Sequence, residues 1–390
     1  MTLDAASISN TKVASPAGVF EAMPLLSDVA SCTPPKLDHC LHMLDRFGMV
    51  QFARGAAPHL HFGYCLDDNA RAFLAAVIIL YLDPQSAEAQ KFGEAALRFM
   101  ESCRRDDGRF HNLMGPDGSF TDEVGSPDSL GRLVWATGIA ASCAPQSSWR
   151  ERAQKLLLAA LDQTESLNPL HPMAYSILGL SAAIAPSVAA PIPVVDATWA
   201  QADAGKIRGV LERQCNKLAT LLDANAQPQW DWFESFMTWG NARMPEALLR
   251  GSAALGDPNL RSAGLRTLDF LASVTHEKDV FIPVGNKGWY ERGTERAIYD
   301  QQPIEACAMV DLWLAAAKLT GRVEYESKAL EAFSWFIGLN TDRLAVVETE
   351  SGGCRDGLEP GKLNTNMGAE STLSYVHAHA SLAAYFSQKI

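Results

Sequence analysis

The sequence predicts an all-α (α/α)6 toroid, a six-hairpin barrel with extended hairpin loops around one mouth. Apolar residues recur at helical spacing in about twelve segments from Leu37 onward. Long loops holding Gly, Pro and aromatic residues fall before the second, fourth, eighth, tenth and twelfth of these, whereas the odd-numbered segments follow short turns. That alternation places the even helices on an inner wall with their N-termini at one end; an open α-solenoid is the alternative, because stacking without closure leaves the same pattern. A composition with 47% hydrophobic and only 20% charged residues suits helices buried against helices.

Residues 1–35 lack sustained periodicity and read as an N-terminal arm, and 36–390 as a single catalytic-type domain. Leu37, Cys40, Leu41, Leu44 and Phe47 define a first helix that Gly48 ends. The second runs from Asp68 through Phe73, Val77 and Tyr81, with Asp67 or Asp68 as its cap. The third covers Ser86 to Arg104, and Pro116-Asp117-Gly118 then marks a hairpin. Ser126 caps a fourth helix with Pro127 in its first turn, running to Cys143. The fifth spans Ser147 to Leu161 and the sixth Pro172 to Ile184, before a proline-rich connection from Ala185 to Pro193. The seventh is Ala197 to Leu222, the eighth Ala242 to Leu255 and the ninth Leu260 to Val274. The extended stretch Gln229 to Trp239 precedes the eighth, and the loop through Trp289 and Tyr290 precedes the tenth, which starts at Pro303 and reaches Leu319. Val323 to Ile337 and Thr372 to Phe386 complete the set.

A formal charge of −12 gives no electrostatic attraction to nucleic acid or to an anionic membrane, so neither is an expected partner. No apolar stretch reaches the length of a signal h-region or a membrane span, which points to a cytoplasmic protein. Eight scattered cysteines without a C-x-x-C pair read as reduced core thiols. His377 and His379, two apart on one helix, do not share a face, so neither a metal site nor a cofactor is expected.

Closure of the ring gathers acids and aromatic rings at the mouth. Aromatic faces stack on the C–H faces of sugars while carboxylates, amides and Arg bond hydroxyls, so the expected substrate is a sugar or oligosaccharide. Paired carboxyls suit glycoside hydrolysis, one donating a proton to the leaving oxygen and the other activating water. Asp68 and Glu305 are the candidate pair, with Asp67, Asp128 and Asp231 in reserve. Substrate contacts are assigned to Tyr64, Arg71, His111, Glu123, Trp230, Trp232, Glu234, Asn241, Arg243, Trp289, Tyr290, Gln302, Asp356 and Glu370. For Trp230-x-Trp232 the competing role is a hydrophobic clamp, and for Asp356 a turn residue.

Four separated motifs carry a family resemblance. They are Phe62-Gly63-Tyr64-Cys65-Leu66-Asp67-Asp68-Asn69-Ala70-Arg71-Ala72, Asp122-Glu123-Val124-Gly125-Ser126-Pro127-Asp128-Ser129, Asp300-Gln301-Gln302-Pro303-Ile304-Glu305-Ala306, and Gly352-Gly353-Cys354-Arg355-Asp356-Gly357-Leu358 with Gly368-Ala369-Glu370-Ser371-Thr372-Leu373. From Leu37 onward the chain resembles a bacterial family that travels with family 4 glycosyltransferases and mannoside phosphorylases. At fold level that family is similar to the six-hairpin glycosidases and the N-acylglucosamine 2-epimerase group. The resemblance implies a sugar-processing setting and a possible glycosyltransferase partner, and it assigns no catalytic residue. Two further functions are therefore carried forward: a non-catalytic sugar-binding partner of a glycosyltransferase, and a sugar epimerase or isomerase.

Overall fold

The computed structural model describes residues 26–196, 198–277 and 280–389. Twelve helices among the described residues build the ring: α1 (Asp38–His42), α2 (Leu66–Leu82), α3 (Ala87–Ser102), α4 (Pro127–Cys143), α5 (Ser147–Glu165), α6 (Leu170–Ile184), α7 (Gln201–Asn225), α8 (Arg243–Leu255), α9 (Pro258–Thr275), α10 (Pro303–Thr320), α11 (Glu324–Ser334) and α12 (Ala369–Ser387). Each even helix packs on the next even helix, and α12 packs back on α2. The ring therefore closes, and the chain is an (α/α)6 toroid rather than an open solenoid.

Inner and outer helices differ as their sequences require. Thirteen of the seventeen residues of α2 are buried, including Phe73, Val77, Ile78 and Leu80, because it is covered on every side. The outer α3 buries Phe92, Ala96, Phe99 and Met100 along one stripe and leaves Gln90, Lys91 and Arg98 to solvent. The inner α4 and α6 touch backbone to backbone: a Cβ on Gly138 would lie 2.1 Å from the carbonyl oxygen of Gly179, and one on Gly179 equally close to that of Val134. One continuous hydrophobic core runs from Val29 to Phe386.

Differences from the expected elements have local causes. The first helix stops at His42, well short of Phe47, because Met43 and Asp45 turn the chain into a Leu44–Met49 bridge. Gly48 is required there by crowding, since a Cβ would lie 2.6 Å from Asn69 Oδ1. The cap of α2 is Cys65, whose sulfur accepts the Asp68 N–H, so Asp67 and Asp68 both sit inside the first turn. Ser126 caps α4 with Pro127 in its first turn, as its sequence predicts. The connection after α6 contains one helical turn, Pro186–Ala189. Residues 1–25 of the expected arm lie outside the described residues; residues 26–35 pack on the ring, with Val29 buried and the Thr33 carbonyl bonded to His379 Nε2 at 3.0 Å.

All eight cysteines are free thiols, seven of them buried. No helix among the described residues is long and apolar enough to cross a membrane.

Candidate functional site

The N-termini of the even helices share one end of the ring, and the loops that lead into them converge there. Two-residue strand pairs tie these loops together: Tyr64–Cys65 against Leu113–Met114, and Phe236–Met237 against Tyr290–Glu291. The Asp122 carboxylate closes the hairpin before α4 by accepting the N–H groups of Asn112 and Leu113, at 2.7 and 3.1 Å. Asn112 in turn donates to Asp67 Oδ2 at 3.3 Å, which seats the hairpin on the first turn of α2.

Asp68 is 2% exposed and held at both oxygens. Arg71 Nη1 donates to Oδ1 at 2.6 Å, and the Cys65 thiol donates to Oδ2 at 3.1 Å. Burial pushes the carboxyl up to about 6 despite the opposing pull of Arg71. Arg71 also pairs with Glu370 at the start of α12, so the first and last inner helices are bridged by one guanidinium. Asp67 lies 3.6 Å from Arg132 Nε, and both Asp67 Oδ1 and Asp128 Oδ1 are buried without a hydrogen-bond partner. Burial also raises the Asp128 carboxyl, with Arg132 opposing.

Glu305, 5% exposed, sits in the first turn of α10. Its Oε1 accepts the Gly240 N–H and its Oε2 accepts from Asn241 Nδ2 at 3.3 Å. Burial outweighs both bonds and pushes the carboxyl up to about 7. Gly240 links this group to α6: a Cβ there would lie 3.4 Å from the Tyr175 hydroxyl and 3.5 Å from His171. The Tyr175 hydroxyl accepts from Arg132 Nη2 at 2.7 Å, and the Arg132 guanidinium lies over the Tyr175 ring. Asp67, Asp68, Asp128 and Glu305 thus border one connected polar crown to which α2, α4, α6, α10 and α12 and the Gly240–Asn241 turn before α8 contribute.

Trp239 is the aromatic face of this crown. It is 36% exposed, stacks on His171 with ring centroids 4.5 Å apart, and has Trp289 beside it at 6.3 Å. Burial holds His171 down at about 4, so its imidazole is neutral. The half-buried Gln302 immediately precedes Pro303 at the start of α10.

Several candidate residues lie elsewhere. Trp230 and Trp232 are 3% and 0% exposed; Trp230 packs edge-on against Phe270 of the outer α9 and against Tyr290, and Trp232 against Phe233. They form a hydrophobic clamp, and Tyr290 belongs to it. Asp231 pairs with Arg266 of α9 at 2.7 Å, on the outer layer. Tyr64 is 1% exposed, bonded to Asp45 and set against Phe47 and Phe99, in the core. His111 stacks on Phe120 and bonds the Asp122 carbonyl, and the Glu123 side chain is exposed while its carbonyl binds Arg105, so both fasten the hairpin. Asp356 accepts the N–H of Gly368, the residue that caps α12, at 2.8 Å, and so anchors the loop before that helix. Glu234 is half-buried and pushed up to about 7 by burial, in the clamp segment.

Arg243 points down the ring rather than out of the mouth. It donates to Glu246 and Asp311, both at 2.7 Å, lies over the Trp135 ring, and His377 Nε2 is 2.8 Å from Asp311. Burial opposes ionisation of Asp311, yet His377 and Arg243 hold its carboxyl well below the usual carboxylate range. Cys307, Asp311 and His377 bring one donor atom each within 4.8 Å, a grouping that sequence spacing does not show. Arg243 already donates to Asp311 and to the Cys307 sulfur, so a cation there would meet a guanidinium. Sequence reasoning also missed Arg132, His171 and Tyr175. Their signal was spacing: Arg132 lies four residues after Asp128, and Tyr175 four after His171, on the same inner faces.

The (α/α)6 toroid has counterparts among solved structures. No protein-family model matches the chain, and no curated protein matches it in sequence. Among solved structures it is similar to the cellobiose 2-epimerase from Bacillus thermoamylovorans B4167, with a TM-score of 0.67 and 9% identity over 95% of this chain and 99% of that one. A D-mannose isomerase matches with a TM-score of 0.65 and 14% identity over 95% and 99% of the two chains. The GH76 α-mannanase from Bacteroides thetaiotaomicron matches with a TM-score of 0.60 and 10% identity over 96% and 97%. What the chain shares with them is the six-hairpin fold.

Proposed function

We propose that the chain is a carbohydrate-active enzyme that carries out acid/base chemistry on an oligosaccharide at the mouth, in the manner of a glycoside hydrolase. One observation carries this reading: two buried carboxyls, Asp68 and Glu305, border the same crown with their acidities displaced to about 6 and about 7. The Arg71 guanidinium on Asp68 favours its ionised form, whereas Glu305 is bonded only by the neutral donors Gly240 and Asn241, and this is the division of labour that activation of water and proton donation to a leaving oxygen require. Trp239 supplies the flat face for a sugar ring, and Arg71, Asn241, Gln302 and Glu370 supply donors and acceptors for its hydroxyls. The structures of similar shape, a D-mannose isomerase, a cellobiose 2-epimerase and an α-mannanase, support the substrate class.

A second reading, sugar epimerisation or isomerisation, is favoured by His171 and His377 on the inner helices α6 and α12 and by the epimerase and isomerase named among the similar structures. The glycosyltransferase partner implied by the family resemblance belongs to a third, a sugar-binding subunit without turnover. Incubation with gluco- and manno-configured oligosaccharides, followed by product analysis, separates them. Cleavage that Asp68→Asn abolishes supports the hydrolase, and an inverted stereocentre without cleavage supports the epimerase. Saccharide binding without any turnover supports the binding subunit, and neither binding nor turnover removes the carbohydrate assignment.

A further inference from the structure

The cap of α2 does more than start a helix. Cys65 is 2% exposed and forms two contacts with Asp68, accepting its backbone N–H at the sulfur and donating its thiol proton to Oδ2 at 3.1 Å. Arg71 holds the other oxygen. The two contacts fix the plane of the carboxylate as well as its position. A cap needs only the first contact, and Ser, Thr or Asp would make it better than a thiol does. A thiol, however, is a weaker donor than a hydroxyl, so it orients the carboxylate while lowering its basicity less than Ser or Thr would.

We propose that Cys65 is a positioning residue for the proton-accepting carboxylate of Asp68, with its thiol setting both the orientation and the basicity of that group. The inference rests on the acid/base reading of Asp68 and deepens it. The other charged groups around Asp68 are Arg71 and Asp67 on its own helix and Glu370 on α12, and none of them is altered by a change at Cys65. Burial keeps the thiol itself far above its ordinary pKa, so it remains a proton donor throughout the working range.

The test is the order of the acidic limb of the pH–rate profile in three proteins. Cys65→Ser gives a stronger donor and lowers the limb, and Cys65→Ala removes the donor and raises it, each by about half a pH unit or more. Ser improves the cap, so a purely structural role would leave the limb of Cys65→Ser where it is in the parent protein. The same order is expected without substrate from the 13C titration of the Asp68 carboxyl, assigned by its loss in Asp68→Asn. Should Cys65→Ala fail to fold, the displacement in Cys65→Ser decides. Coincident titrations in the parent and Cys65→Ser overturn the positioning role while leaving Asp68 as the base. Full turnover in Asp68→Asn overturns the reading of Asp68 and this inference with it.

Discussion

Glu305→Gln separates the chemical value of a residue from its energetic cost. Folding raises the Glu305 carboxyl from the ordinary 4.5 to about 7, so at neutral pH the ionised form opposes folding. At about 1.4 kcal/mol per tenfold change in proton affinity, the displacement corresponds to about 3 kcal/mol. The sign follows from proton counting. Between pH 4.5 and 7 the folded chain binds more protons at this site than the unfolded chain, so stability is full below 4.5 and falls as pH rises through 7. A glutamine keeps an oxygen for the Gly240 N–H and loses the charge, but its amide faces Asn241 Nδ2, at a cost of about 1 kcal/mol. At pH 8 the variant is therefore expected to be about 2 kcal/mol more stable than the parent. At pH 4 it is expected to be slightly less stable. Urea unfolding at the two pH values measures both, and the same preparations should lose about 100-fold or more in turnover on a cleaved glycan. Parallel stability profiles for parent and variant between pH 4 and 8 would refute the reasoning, because they would mean that Glu305 is ionised without penalty in the fold.

Other substitutions probe the rest of the ring. Asp311→Asn leaves Arg243 and His377 without their shared carboxylate and is expected to cost about 3–5 kcal/mol by chemical denaturation. Because the folded carboxyl lies below its ordinary 3.8, its contribution is complete above that value and fades as pH falls through the folded one, so the variant should show a shallower acid transition. Trp230→Ala and Trp239→Ala should diverge: the buried residue costs about 3–5 kcal/mol of stability. The exposed one instead raises KM about fivefold, the equivalent of about 1 kcal/mol of stacking, with an unchanged melting temperature. Gly138→Ala drives a methyl into the Gly179 carbonyl and should destabilise by about 3 kcal/mol or more, read as a lowered urea midpoint.

The ring was legible in the sequence because loop length alternates with helix parity, and parity decides which helices are inner. The acids at the mouth were legible for the same reason, being placed in first turns by Pro127, Pro303 and Gly368. Aromatic roles were not, because an extended Trp-x-Trp stretch does not show whether its rings face the mouth or the outer α9. Trp230 and Trp232 took the apolar side, and Trp239, beyond a strand that ends at Met237, took the open one. The Arg243–Asp311–His377 cluster joins residues from three helices, and no local spacing marks it. Asp67 or Asp68 as cap was the expected reading, and Cys65 took that place because the helix begins at Leu66, ahead of both acids.

The bridge from Arg71 to Glu370 joins positions 299 residues apart. A ribosome synthesising this chain therefore exposes Asp67, Asp68 and Arg71 long before the helix that closes the ring has been made. Until that final segment docks, the nascent protein has an open seam and an unfinished centre, so a truncated product that lacks it is expected to be inert however well its earlier hairpins have formed. Long-range closure of this kind also favours slow folding, since the entropy of joining distant segments is lost before their contacts are gained.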